Sequence, residues 1–276
     1  MHPLIHIAVT AARSAGNYIM RNVERVPQLT IERKGRNDFV TQVDRAAEAE
    51  VIRTIHKAYP QHAILGEEGG QIGNHEVLWI VDPLDGTTNF LHGLPHFAVS
   101  IGISVKGRLE HGVIYAPCTQ DLYVASRGSG ATLNNRKMRV SATKDMDQAL
   151  IGTGVPIRAA NLDAYIPMLR NVVANTAGVR RAGAASLDLA YVAAGRLDAY
   201  WELNLKPWDV AAGIVLVQEA GGMVSEIYGQ PDPLATGNIL VANPKLHPTF
   251  AGLLRAASGG YTAAPPAETA TTPDAD

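Results

Sequence analysis

The stretch Trp79-Ile80-Val81-Asp82-Pro83-Leu84-Asp85-Gly86-Thr87-Thr88-Asn89-Phe90 carries an apolar run straight into two carboxylates separated by two residues. Trp, Ile and Val favour a buried strand, and such a strand has little reason to end on two acids unless they meet a partner there. Carboxylates are hard oxygen ligands suited to Mg²⁺, which takes a few protein oxygens and keeps other positions for water and substrate phosphate. Pro83 fixes the backbone between them. Gly86 lets the backbone come close to a neighbour, while Thr87, Thr88 and Asn89 are residues that start helices and leave N–H groups free for an anion. Asp-Pro and Asp-Gly also form ordinary turns in proteins without metal, so this segment alone leaves both readings open.

Two flanking segments extend the pattern. Upstream, Gly66-Glu67-Glu68-Gly69-Gly70 puts paired acids after the short apolar run Ala63-Ile64-Leu65. Downstream, Pro207-Trp208-Asp209-Val210-Ala211-Ala212-Gly213 opens an apolar helix on one aspartate. Taken singly, the glutamates read as solvated and Asp209 as a first-turn acid favoured by the helix dipole. Together the three segments supply at least four carboxylates from separate strand and helix ends, the supply that metal-assisted phosphoryl transfer needs.

Around these segments the pattern predicts an amphipathic first helix from Leu4 to about Glu24, extended chain at Leu29 to Ile31, and a polar turn over Arg33 to Asp38. A second helix begins after Thr41, which caps it, with Asp44 in the first turn. Glycine-punctuated strands follow at Ala63–Leu65, Val77–Val81, Ala98–Val105, Gly112–Tyr115 and Leu122–Ala125. Beyond Ile151–Thr153, helices (Leu162–Ala174, Ala185–Ala194, Val210–Ala220) alternate with strands (Ala199–Glu202, Met223–Ser225, Ile239–Ala242), an α/β layered order. We expect one compact domain over residues 1–254, with sub-halves of about 1–145 and 146–254. The Ala, Thr and Pro rich residues 255–276 read as a disordered tail.

The charge of −2, from 24 basic and 26 acidic residues, demands no nucleic-acid surface. The longest unbroken apolar stretch, Val210 to Val217, is far shorter than the roughly 20 residues that span a bilayer, so no membrane role is expected. Cys118, the one cysteine, suits a reducing compartment, and cytoplasm is the expectation. It lacks the motif of a cysteine phosphatase. His92 and His96 are four apart, but Gly93 and Pro95 break the helix a zinc pair would need.

Asp82-Pro83-Leu84-Asp85-Gly86-Thr87-Thr88-Asn89-Phe90 and Trp208-Asp209-Val210-Ala211-Ala212-Gly213 resemble the two signatures of the inositol monophosphatase family. Gly66-Glu67-Glu68, Gly183-Ala184-Ala185 and Glu202 extend the likeness. Arg180 to Ala190 is most similar to the bacterial SuhB-type branch. The resemblance implies an αβαβα sandwich, Mg²⁺ as cofactor, sensitivity to lithium and a homodimer. It implies that Glu67, Asp82, Asp85 and Asp209 bind metal with the Leu84 carbonyl. Thr87, supported by Asp44 and working with Glu67, would orient the attacking water, and Gly86 and Thr87 would hold phosphate through backbone N–H groups. Asp85, Asp209, Gly183, Ala184, Ala185 and Glu202 match substrate positions, with Glu202 accepting from hydroxyls of a small phosphorylated polyol. Ala184 departs from members that carry a hydroxyl there. A lysine that some members place before the second helix corresponds to either Arg33 or Lys34. The implied activity is hydrolysis of inositol monophosphate. The alternatives are a related sugar-phosphate phosphatase, such as one acting on fructose-1,6-bisphosphate, and a partner of the transcription antitermination machinery.

Overall fold

The computed structural model describes residues 2–28, 31–35, 38–156 and 159–257, and the side chains of residues 27–40 and 157–161 lie outside that description. The choice between Arg33 and Lys34, and the expected tail from residue 258 onward, therefore fall outside the described residues. Helix α1 (Pro3–Asn22) is followed by a 3₁₀ stretch (Val23–Gln28), the hairpin β1 (Ile31–Gly35) and β2 (Asp38–Thr41), and α2 (Gln42–Ala58). Next come β3 (Ala63–Gly66), β4 (Gly70–Ile72), β5 (Val77–Asp85), α3 (Thr87–Leu91), β6 (Ala98–Val105), β7 (Arg108–Ala116), β8 (Asp121–Ser126), β9 (Gly130–Leu133) and β10 (Arg136–Lys137). The remainder is β11 (Leu150–Thr153), α4 (Ala159–Asn175), β12 (Gly178–Arg180), α5 (Ala185–Ala193), β13 (Ala199–Glu202), α6 (Pro207–Glu219), β14 (Met223–Glu226), α7 (Pro233–Thr236), β15 (Ile239–Ala242) and α8 (His247–Ala257).

An eight-stranded sheet runs β10-β9-β8-β7-β6-β5-β3-β4, and a five-stranded sheet runs β12-β11-β13-β15-β14. Helices α1 and α2 cover the outer face of the large sheet, burying Ile5, Ala8, Ile19, Val51 and Ile55 against Trp79, Val99 and Ile101. Helices α5 and α6 lie between the sheets, where Leu189, Val192, Leu216 and Val217 meet Ile114 and Tyr123 on one side and Tyr200 and Val241 on the other. On the far face, Tyr165, Met168 and Val172 of α4 and Phe250 and Leu254 of α8 pack on Trp201 and Leu240. The layers read α, β, α, β, α, as the resemblance implies. Helices on both faces explain why β5 and β6 are buried almost continuously, with β6 alternating large apolar residues and small Ser100, Gly102 and Ser104.

Helix α6 sits unusually close to the large sheet. A Cβ on Gly102 would lie 2.6 Å from the Ala211 Cβ, and one on Gly112 would lie 2.4 Å from the Ala212 carbonyl oxygen. Both sides of the second contact are backbone, so neither can rotate away. Gly112→Ala should destabilise the protein by about 1–3 kcal/mol through overpacking, which at this chain length lowers Tm by about 2–4 °C per kcal/mol. An unchanged melting curve would show that α6 can lift off the sheet at no cost.

Three local expectations change. The polar turn over Arg33 to Asp38 is mostly paired strand, with Glu32 opposite Val40 and Arg33 opposite Phe39. Backbone pairing overrides side-chain polarity in such a hairpin. Helix α8 is absent from the sequence expectation and carries the ordered chain past Leu254 to Ala257. Short strands β4, β9, β10 and β12 also form, each paired with a longer neighbour, with β4 and β10 at the edges of the large sheet and β12 at an edge of the small one.

Candidate active site

The C-terminal end of β5 delivers Asp82 and Asp85, with an irregularity in the β5–β6 register between them. Pro83 lies in that irregularity, and the Leu84 N–H turns back to donate to Asp82 Oδ1 at 3.0 Å. Gly86 then takes φ 95°, and a Cβ there would sit 2.9 Å from the His96 carbonyl oxygen, so glycine is needed for both conformation and space. The chain enters the short helix α3 at Thr87. Asn89, also buried, donates to the carbonyls of His96 (2.7 Å) and Ala182 (2.9 Å), tying this turn to the segment that leads into α5.

Asp44 reaches the same place from α2. The Thr41 hydroxyl accepts from the Val43 N–H at 2.9 Å, the cap expected from sequence, and Asp44 Oδ2 adds the reciprocal bonds, accepting from the Thr41 N–H (2.8 Å) and hydroxyl (2.6 Å). Asp44 Oδ1 lies 2.8 Å from the Thr87 hydroxyl, which is also 3.0 Å from the Leu84 carbonyl oxygen. The single Thr87 proton thus faces two acceptors, and its oxygen keeps lone pairs for another donor.

Asp85 points at the start of α5. Its Oδ2 accepts from the Ser186 N–H at 2.8 Å and from the Ser186 hydroxyl. Burial pushes the Asp85 carboxyl up to about 6, with the Ser186 hydroxyl and N–H groups of the first α5 turn pulling the other way. Gly183, with φ 85°, and the buried Ala184 and Ala185 form the approach to that turn. Asp209 stands in the first turn of α6, where its Oδ2 accepts from the Lys206 N–H at 2.6 Å. Burial, followed by the charge of Asp85, holds its carboxyl well above the usual range. Asp82 is pushed up in the same way, first by burial and then by Glu67, Asp85 and Asp209.

The half-buried Glu67 leaves the end of β3, its N–H donating to the Val81 carbonyl at 3.2 Å. Glu202 closes the other side from the end of β13. Its carboxylate accepts from the Tyr200 hydroxyl, and a Cβ on Gly154 would collide with it. Burial raises Glu202 to about 7, while the Tyr200 hydrogen bond opposes the shift.

The structure thus brings together the residues named from sequence, close enough that Glu67, Asp82, Asp85, Asp209 and Glu202 perturb one another. Among the described residues, no group of three or more His, Cys, Asp and Glu side chains is arranged to hold a metal ion as it stands. Buried like charges nonetheless need protons or a cation, and the strongest influences on Asp82 besides burial are all negative. Hard carboxylate oxygens are the donors Mg²⁺ takes, so the residues fit that ion.

Sequence reasoning missed Ser186, Asp188 and Glu48. Asp188 lies in the first turn of α5, 2% exposed, with no hydrogen-bond partner for Oδ1 among the described residues. Burial, then Glu202 and Asp85, raises its carboxyl well above the ordinary value. An acid in an otherwise apolar helix was the available signal.

Comparison with known proteins bears on the family and the fold. The sequence pattern of the inositol monophosphatase family matches residues 1–258. The protein named Nus factor SuhB from Pseudomonas aeruginosa is 56% identical over 252 residues, covering 89% of this chain and 93% of that one. The crystal structure of extragenic suppressor protein suhB from Bartonella henselae superposes with a TM-score of 0.90 at 43% identity, covering 94% of this chain and all of that one. Inositol monophosphatase from Anabaena gives 0.81 at 39%, covering 92% and 96%. In pattern, sequence and architecture alike, the chain belongs to the inositol monophosphatase family and to its bacterial SuhB-type branch.

Proposed function

We propose that the chain is a Mg²⁺-dependent phosphatase that hydrolyses small phosphorylated polyols, with inositol monophosphate, giving inositol and phosphate, as the first substrate to test. The observation that carries the reading is the set of Glu67, Asp82, Asp85 and Asp209 beside the Thr87–Asp44 pair. In this reading those four carboxylates and the Leu84 carbonyl hold Mg²⁺. The bound ion supplies Lewis-acid activation of water and neutralises charge on the phosphoryl and leaving oxygens.

The protein's own groups do the positioning. Asp44 takes the Thr87 hydroxyl proton in a hydrogen bond, which turns the Thr87 oxygen into an acceptor for the attacking water. With Glu67 accepting from the same water, its free lone pair is aimed at phosphorus. The N–H groups of Gly86 and Thr87 hold phosphate oxygens. Glu202 accepts from a polyol hydroxyl, and Gly183, Ala184 and Ala185 line that side.

The test is release of phosphate from a panel of monoesters, with and without Mg²⁺. Turnover of inositol monophosphate that stops in EDTA and falls with millimolar lithium is the expected result. Undiminished turnover in EDTA would remove the metal from the mechanism. Preference for fructose-1,6-bisphosphate would keep the chemistry and change the substrate.

The name Nus factor carried by the 56%-identical relative supports a second role, as a protein-binding partner in transcription antitermination. Pull-down with a catalytically dead variant separates the two roles. A cytoplasmic homodimer accompanies both.

A further inference from the structure

Glu48 has no part in the mechanism above, yet it is a carboxylate only 4% exposed, one helical turn beyond Asp44 on the same face of α2. Both of its oxygens are in use. Oε2 accepts from the Glu68 N–H at 2.9 Å and Oε1 from the Gly69 N–H at 2.7 Å. Two of the three glycines of this loop are explained by the same contact. A Cβ on Gly66 would lie 2.3 Å from Glu48 Oε2, and one on Gly69 2.8 Å from Oε1.

Glu67 is therefore pinned on both sides. Before it, Gly66 is paired with Val81 in the sheet, and the Glu67 N–H is bonded to the Val81 carbonyl. After it, the next two N–H groups end on Glu48. We propose that Glu48 is a positioning residue that sets the Glu67 carboxylate toward Asp82 and Asp209, acting through the backbone of Glu68 and Gly69. The inference rests on the metal-site reading of Glu67 given above. Helix α2 becomes a rigid strut with two outputs, since Asp44 fixes Thr87 and Glu48 fixes the Glu67 loop, and the water-orienting hydroxyl and the loop carboxylate are held in one frame. The carboxylate form matters because two converging N–H donors need two acceptor oxygens. The amide of Glu48→Gln would turn an N–H₂ against one of them.

The experiment titrates Mg²⁺ alone into the full chain by calorimetry and, separately, follows activity against Mg²⁺ concentration. For Glu48→Gln we expect the Mg²⁺ dissociation constant to rise about tenfold or more, as for other groups that orient a ligand without touching the metal. The Mg²⁺ concentration giving half-maximal rate should rise in parallel, while kcat at saturating Mg²⁺ recovers to within a few-fold of wild type. A purely structural role would lower Tm and leave Mg²⁺ affinity where it was. Gly69→Ala keeps Glu48 but crowds its Oε1, and it should weaken Mg²⁺ binding in the same direction; it decides the matter if Glu48→Gln does not fold. Wild-type protein that binds no Mg²⁺ overturns the function reading. Wild-type binding matched by both variants overturns the role of Glu48 alone.

Discussion

Thr87→Ala is expected to cut kcat by about 10²-fold or more while leaving the Mg²⁺ requirement and KM nearly unchanged, because it removes a water-orienting hydroxyl and keeps the backbone N–H. Asp85→Asn and Asp209→Asn should behave differently. Each removes a negative charge that faces the proposed dication, so Mg²⁺ affinity falls sharply and excess Mg²⁺ recovers part of the rate. Asp85→Asn carries a second penalty, since Asp85 Oδ2 is the acceptor for the first turn of α5. Titrating kcat with Mg²⁺ for the three variants in parallel separates the roles. Near-normal kcat in Thr87→Ala would reduce Thr87 to the first residue of α3, its hydroxyl merely tying α2 to β5.

Metal-free protein should melt several degrees higher at pH 5 than at pH 8, and Mg²⁺ should reverse the order. Asp85 titrates at about 6 in the fold against an ordinary 3.8, so the folded state binds its proton more tightly. The stabilisation from that proton is complete below about pH 4 and is lost as the pH rises through 6. Asp82 and Asp209 are shifted in the same direction, and Glu202, at about 7, carries the window up to neutrality. One pKa unit corresponds to about 1.4 kcal/mol, and since only about one unit of the Asp85 shift falls between pH 5 and pH 8, Asp85 alone accounts for about 1.4 kcal/mol of that difference. Mg²⁺ competes with those protons, and its stabilising effect should therefore be larger at pH 8 than at pH 5. Scanning calorimetry at the two pH values, with and without Mg²⁺, is the measurement. A metal-free Tm that is flat or rises toward pH 8, with equal Mg²⁺ shifts at both, would show that these carboxylates are not forced together.

What could be read from sequence was whatever a short stretch determines by itself. The run from Trp79 to Phe90 states its own strand, turn and helix start, and Thr41 reads as a helix cap with Asp44 in the first turn, which the structure joins into a capping box. A coarse alternation of helices and strands follows from how apolar runs alternate, while the five-layer order came from the family resemblance. What stayed hidden depends on partners far along the chain. Glu48 reads as one more acid on a helix until the loop at Glu68 and Gly69 is folded over it. Ser186 looks like a small residue in an apolar helix until Asp85 meets it. The hairpin of β1 and β2 went unseen because its polar side chains say nothing about backbone pairing.

The site's parts are also spread in time. Asp44 and Glu67 come early in the chain, Asp82 and Asp85 follow, and Glu202 of the second sheet and Asp209 of α6, the helix between the sheets, come last. A chain emerging from the ribosome N-terminus first can pair β3, β5 and β6 long before α6 exists to be seated over Gly102 and Gly112. Until then the end of β5 remains open to water, and its carboxylates are hydrated and uncrowded. Burial of these carboxylates, and the added charge of Asp209, come at the last docking step, when α6 is seated, so divalent cation should act chiefly on the final closure of the molecule and much less on the formation of its first sheet.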